Sequence, residues 1–250
     1  MTRALLLLLL ASAAFAQTPR RSGFDDMAPS TQAMQRDDTA NPGMLWVLEG
    51  EALWARRAGG AGKSCADCHG DAAQSMRGVA ARYPAWDDAT GTPIDLAGRI
   101  QHCRAERQQA APLPRESAPL LALSAFVGLQ SRGLPIAPPD DLRLAPALTQ
   151  GHALYGARRG QLDLSCAQCH DANAGRRLAG SVIPEGHPTG YPLYRLEWQG
   201  FGSLQRRLRG CMVGVRAEPY AYGSDEFIAL ELFLMRRAAG MVLETPAVRP

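Results

Sequence analysis

Lysine is almost absent from this chain: of its 27 basic residues only Lys63 is a lysine, and the other 26 are arginines. Its positive groups are therefore planar guanidinium forks, which pair with flat or tetrahedral oxyanions through two N–H groups at once. Net charge is scarce as well. At +3 over 250 residues it is too weak to argue for nucleic acid or a membrane surface as the main partner. Beyond residue 16 there is no apolar run long enough to cross a bilayer as a helix, which takes about 20 residues. Strand-like alternation is missing too, so the expected fold class is mainly α.

The N terminus joins a charged start, Met1-Thr2-Arg3, to leucines at 5–10 and a small-residue end, Ala14-Phe15-Ala16. That is the pattern of a secretory signal peptide cleaved after Ala16, and it predicts a periplasmic protein.

Cysteine is used six times, and four of the six fall in two copies of Cys-x-x-Cys-His: Cys65-Ala66-Asp67-Cys68-His69 and Cys166-Ala167-Gln168-Cys169-His170. In this pentapeptide the thiols add to the vinyl groups of a haem and the histidine becomes the proximal iron ligand. Two covalently bound c-type haems are expected, on Cys65 and Cys68 with His69, and on Cys166 and Cys169 with His170. Export agrees, because that attachment is completed outside the cytoplasm.

The motifs sit in a repeat. Gly50, Arg57 and Ser64 match Gly151, Arg158 and Ser165 at an offset of 101, together with both haem motifs. Ser117, Ala122, Leu123, Phe126 and Gly133 match Ser224, Ala229, Leu230, Phe233 and Gly240 at an offset of 107. Two tandem cytochrome-c-like domains related by internal duplication are the expected architecture. They span 43–133 and 147–250, joined by a proline-rich linker at 134–146. Helices are expected near 43–58, 95–107 and 116–132, and near 147–159, 201–211 and 223–239. Residues 17–42 read as an extension over the surface or a mobile arm.

The second axial ligand of each iron is open to several candidates: Met76, His102 and Cys103 in the first repeat, and His187, Cys211, Met212, Met235 and Met241 in the second. Only the lone cysteines, Cys103 and Cys211, recur at matched places, 108 apart, which favours axial thiolates. A thiolate lowers a haem's potential and is itself a nucleophile. A Cys103–Cys211 disulfide is the main alternative in an oxidising compartment. Around Cys211 lie Arg206, Arg207, Arg209 and Arg216. On a helix Arg207 falls one turn before Cys211 and becomes the candidate substrate contact, with Arg209 and Arg216 read as propionate partners or surface groups. Arg99 stands equally before Cys103, so spacing alone does not say which centre reacts.

The run Arg209-Gly210-Cys211-Met212, then Arg216-Ala217-Glu218-Pro219-Tyr220, Gly223-Ser224-Asp225-Glu226 and the ending Pro246-Ala247-Val248-Arg249-Pro250 resembles the SoxA family, the dihaem subunit of the SoxAX cytochromes of thiosulfate oxidation. The resemblance implies an L-cysteine S-thiosulfotransferase. Such an enzyme joins thiosulfate oxidatively to a cysteine of a sulfur-carrier protein (SoxYZ-like) and passes two electrons to a monohaem cytochrome subunit (SoxX-like). It further implies that Cys211 is the reactive ligand, often a persulfide, that Arg207 binds substrate, and that Cys103 is a stable ligand. Two other readings are a dihaem thiosulfate dehydrogenase forming tetrathionate and a plain periplasmic electron carrier. A wide mouth at Cys211 is expected if a carrier peptide must reach it.

Overall fold

The computed structural model describes residues 19–250, so the expected signal peptide at 1–16 lies outside the described residues. A short helix, α1 (Pro29–Arg36), precedes two halves of like plan. The first half holds α2 (Met44–Ala55), α3 (Ala66–His69), α4 (Ala72–Ser75), strands β1 (Ala85–Asp87) and β2 (Thr92–Ile94), α5 (Leu96–Cys103) and α6 (Ala118–Leu129). The second holds α7 (Ala145–Gly156), α8 (Cys166–His170), hairpin β3 (Arg177–Leu178) with β4 (Ser181–Val182), β5 (Leu193–Arg195), β6 (Gly200–Gly202), α9 (Leu204–Gly214) and α10 (Asp225–Arg237). Strand β7 (Ala247–Arg249) ends the chain. The fold is mainly α, as expected.

Each half is closed by crossing its first helix over its last. α10 shows why the sequence folds this way: Ser224 caps its N terminus, Asp225 and Glu226 stand in the first turn and Arg236 and Arg237 in the last, each complementing the helix dipole. Its apolar face, Phe227, Leu230 and Leu234, is buried against Tyr155 of α7 and Met212 of α9. Burying each such side chain contributes about 1.5–3 kcal/mol. The crossings need glycine. A Cβ on Gly50 of α2 would stand 2.1 Å from the Ala122 carbonyl oxygen of α6, and one on Gly151 of α7 would stand 2.0 Å from that of Ala229. Gly133 and Gly240 end the segments after α6 and α10 at φ 83° and 82°, a left-handed conformation open to glycine.

The strands were not legible as alternation, because each has only two or three residues, too few for a period of two to register. β1 and β2 form an antiparallel hairpin. β5 lies between antiparallel β6 and parallel β7. Residues 201 and 202, expected in a helix, are strand, and α9 runs three residues past Cys211. The helix ending at Cys103 continues as a π turn over Arg104–Gln108. Residues 19–42 are tied down, with Asn41 Nδ2 donating to the Pro246 carbonyl at 2.9 Å and Gln35 accepting from the Val248 amide at 3.0 Å. In the linker, Ile136 is buried against Met235 and Leu243, and its amide donates to the Met241 carbonyl at 2.8 Å.

Candidate functional site

Both haem motifs are held the same way. An isolated bridge, Ala58 with Lys63 and Arg159 with Leu164, turns the chain toward each motif. Ser64 accepts from the Asp67 amide while Asp67 accepts from the Ser64 amide at 2.8 Å. Ser165 and Gln168 form the equivalent reciprocal cap of α8. Each motif thereby faces a cavity of its own, with Cys65, Cys68 and His69 on one of about 410 Å³ and Cys166 and His170 on one of about 400 Å³.

Cys103 lines the first cavity with Cys65, Cys68 and His69, and Cys211 lines the second with Cys166 and His170. No disulfide joins Cys103 to Cys211, which line separate cavities. His170 is the better oriented histidine. Its Nδ1 lies 2.7 Å from the Pro184 carbonyl, which makes Nδ1 the N–H donor and leaves Nε2 unprotonated for a metal. The same cavity is lined by Cys211, so the imidazole and the thiol share one space. His69 packs on the Trp54 ring at 5.6 Å instead. Paired thiols, a histidine and an opposed thiolate amid apolar walls fit a covalently bound c-type haem.

The other ligand candidates divide. His102 is not among the residues lining the first cavity; its Nδ1 lies 3.1 Å from Asp87 Oδ2. Met212 is buried against Tyr155, Phe227 and Leu230. Met235 packs with Ile136 and Leu243, with Met241 beside them. His187 borders the second cavity, where its Nδ1 lies 2.9 Å from the Arg21 carbonyl. Met76 lines the first cavity beside His69.

The two lone cysteines differ in electrostatics. Burial pushes the Cys103 thiol up, Arg99 and Arg107 oppose this, and Asp87 adds to the rise. Burial also acts on Cys211, yet the neighbouring His170 side chain and the charges of Arg207 and Arg195 outweigh it and bring the thiol below its ordinary value. The arginines explain the contrast. Arg99 donates to buried Asp87 at 2.7 Å. The guanidinium of Arg207, half-buried on the cavity wall, makes no hydrogen bond or ion pair with another described residue. Of the other arginines, Arg209 donates to the Tyr220 carbonyl and lies 4.7 Å over the Tyr222 ring, and Arg216 reaches Gln161 at 3.4 Å. Sequence reasoning missed Arg195, Arg177 and Arg249, which also line the second cavity. The repeat carried the signal for Arg195, since an offset of 108 sets it against Asp87. Cys211 is partly exposed, on a cavity that also reaches the N-terminal segment at Gly23 and Met27.

A family model described as SoxA/TsdA, cytochrome c domain, matches residues 49–136 and again 150–243. The chain is 39% identical over 229 residues to the L-cysteine S-thiosulfotransferase subunit SoxA of Pseudaminobacter salicylatoxidans, covering 91% of this chain and 80% of that one. It is 36% identical over 228 residues to the protein of the same description from Paracoccus pantotrophus, covering 91% and 78%. A crystal structure of SoxXA from P. pantotrophus superposes with a TM-score of 0.89 at 35% identity, covering 92% of this chain and 87% of that chain.

Proposed function

This chain belongs to the SoxA/TsdA cytochrome c family, and from that premise we propose that it acts as an L-cysteine S-thiosulfotransferase subunit. Thiosulfate and the cysteine thiol of a carrier protein are joined by a new S–S bond between the outer thiosulfate sulfur and the cysteine sulfur. The thiol proton is released and two electrons pass to a monohaem cytochrome subunit of the SoxX kind. The observation that carries this reading is Arg207: a half-buried guanidinium without an acceptor among the described residues, on the wall of the cavity that Cys211 and His170 line. An anionic substrate satisfies it, and a dianion such as thiosulfate suits it well.

The architecture behind this is two cytochrome-c-like domains, 43–133 and 147–250, related by duplication. The recurrence of the glycine crossings, the bridges and the serine caps supports that descent. Two haems would be held, one by Cys65, Cys68, His69 and Cys103, the other by Cys166, Cys169, His170 and Cys211. When bound, the haem of the second domain supplies a one-electron acceptor beside the reacting sulfur. Cys211 is the reactive thiolate, with His170 fixed by Pro184 and Arg207 binding the anion. Among the described residues no helix is long and apolar enough to cross a membrane; the periplasmic location rests on the signal-peptide pattern at 1–16.

The test mixes the holoprotein, its cytochrome partner and a carrier bearing one free cysteine with thiosulfate, then weighs the carrier. A carrier heavier by one whole thiosulfate, as the Cys-S-S-SO3 adduct, in step with cytochrome reduction, is expected. Tetrathionate with an unmodified carrier would overturn the reading.

A further inference from the structure

We propose that Arg195 is a second substrate-binding guanidinium of the same site, and that its charge, opposite to that of Asp87 at the matching place in the first domain, confines anion chemistry to the second centre. This rests on the functional reading above and names a specificity residue within it. An offset of 108 carries β1 onto β5, β2 onto β6, Arg99 onto Arg207 and Cys103 onto Cys211. The last residue of the first strand in each hairpin is then Asp87 in one domain and Arg195 in the other. At that place in the hairpin the side chain reverses in charge between the two halves.

In the first domain Asp87 is buried, takes the Arg99 guanidinium at 2.7 Å, and has His102 Nδ1 at 3.1 Å. Arg99, the counterpart of Arg207, is thus already occupied by a carboxylate that would also repel an incoming anion, although Arg82, Arg104 and Arg107 line that cavity as well. In the second domain no carboxylate among the described residues pairs with Arg207; the carboxylate near this place, exposed Glu197, pairs with Arg195. Arg195 is largely buried, with its side chain 15% exposed; its Nε donates to Glu197 at 2.7 Å and its guanidinium lies 5.5 Å from the Trp198 ring centre. These two contacts hold one edge and one face of the fork. Its Nη1 and Nη2 groups have no acceptor among the described residues, and Arg195, Arg207 and Cys211 line one cavity. Two guanidinium groups beside one thiolate make a recess for a small dianion, in which the sulfonate end is held while the outer sulfur faces Cys211. A single arginine would leave half of the dianion's charge unpaired in a partly buried place.

The test uses the holoprotein with its partner cytochrome and carrier thiol, comparing wild type with Arg195→Gln and Arg195→Lys. Three quantities are read: kcat and KM for thiosulfate, thiosulfate affinity by titration calorimetry, and the reduction potential of the second haem. Loss of a charge-assisted contact predicts that Arg195→Gln weakens thiosulfate binding and raises its KM by about 10- to 100-fold, with a smaller effect on kcat. Arg195→Lys, which keeps the charge but not the fork, recovers part of the loss and serves as the second reading if the glutamine variant folds poorly. Unchanged affinity in both variants overturns the proposal. So does a shifted haem potential with unchanged affinity, which would make Arg195 a propionate partner. Calorimetry separates this from the functional reading: a wild type that binds thiosulfate through Arg195 but leaves the carrier unmodified keeps the inference and sinks the activity.

Discussion

Gly151 of α7 lies so close to Ala229 of α10 that a methyl group in place of its hydrogen would stand 2.0 Å from the Ala229 carbonyl oxygen and 2.8 Å from the Phe233 Cβ. The backbone on one side and a partly buried aromatic on the other leave little that is cheap to move. Gly50 and Ala122 stand in the same relation in the first domain.

Gly151→Ala is therefore expected to force the two helices apart and to destabilise the protein by about 1–3 kcal/mol, the usual range for overpacking a close contact. Chemical denaturation of the holoprotein measures it. An unchanged midpoint would show that the crossing is not tightly packed.

Between the domains, Asp95 receives Arg115 and the Gln205 side chain, and buried Glu231 lies beside them. Burial, with Asp95 adding its charge, pushes the Glu231 carboxyl well above the ordinary 4.5, although Arg115 opposes the rise. A carboxyl raised on folding keeps its proton while the unfolded chain gives its own up, so stability declines as pH rises through 4.5 toward the raised value. Glu231→Gln should flatten that decline and raise stability at pH 7 by on the order of 1 kcal/mol. Thermal melts at pH 4.5 and pH 7 check it; a variant less stable at pH 7 than the parent contradicts the assignment.

Arg207→Ala should raise the KM for thiosulfate by about 10- to 100-fold, because a charge-assisted contact to the dianion is lost. Cys211→Ser should abolish conjugation outright. Haem content should survive in both, since the thioether cysteines Cys166 and Cys169 are untouched. Steady-state assays with pyridine haemochrome counting settle each point.

Peptide mapping of the mature protein by mass spectrometry should find two haem additions, one on the peptide with Cys65 and Cys68 and one on that with Cys166 and Cys169. Cys103 and Cys211 should not appear as a linked pair. A single haem, or a Cys103–Cys211 bridge, would remove the paired axial-thiolate arrangement.

The sequence by itself determined what depends on neighbours a few residues apart. Haem attachment is written in five consecutive residues, the amphipathic face of α10 in a period of 3.6, and the two-part plan in offsets of 101 and 107. Tertiary structure decided what depends on groups distant along the chain. Arg99 and Arg207 stand at the same spacing before their cysteines, so no local pattern tells them apart. Their partners come from a hairpin 12 residues earlier, folded against the helix, where Asp87 neutralises one arginine and Arg195 leaves the other without a counter-ion. The strands that achieve this are too short to show periodicity. Likewise, Glu231 reads as one more polar position on α10 until packing of the two domains buries it beside Asp95, because a charge's cost is set by its surroundings and not by its sequence neighbours.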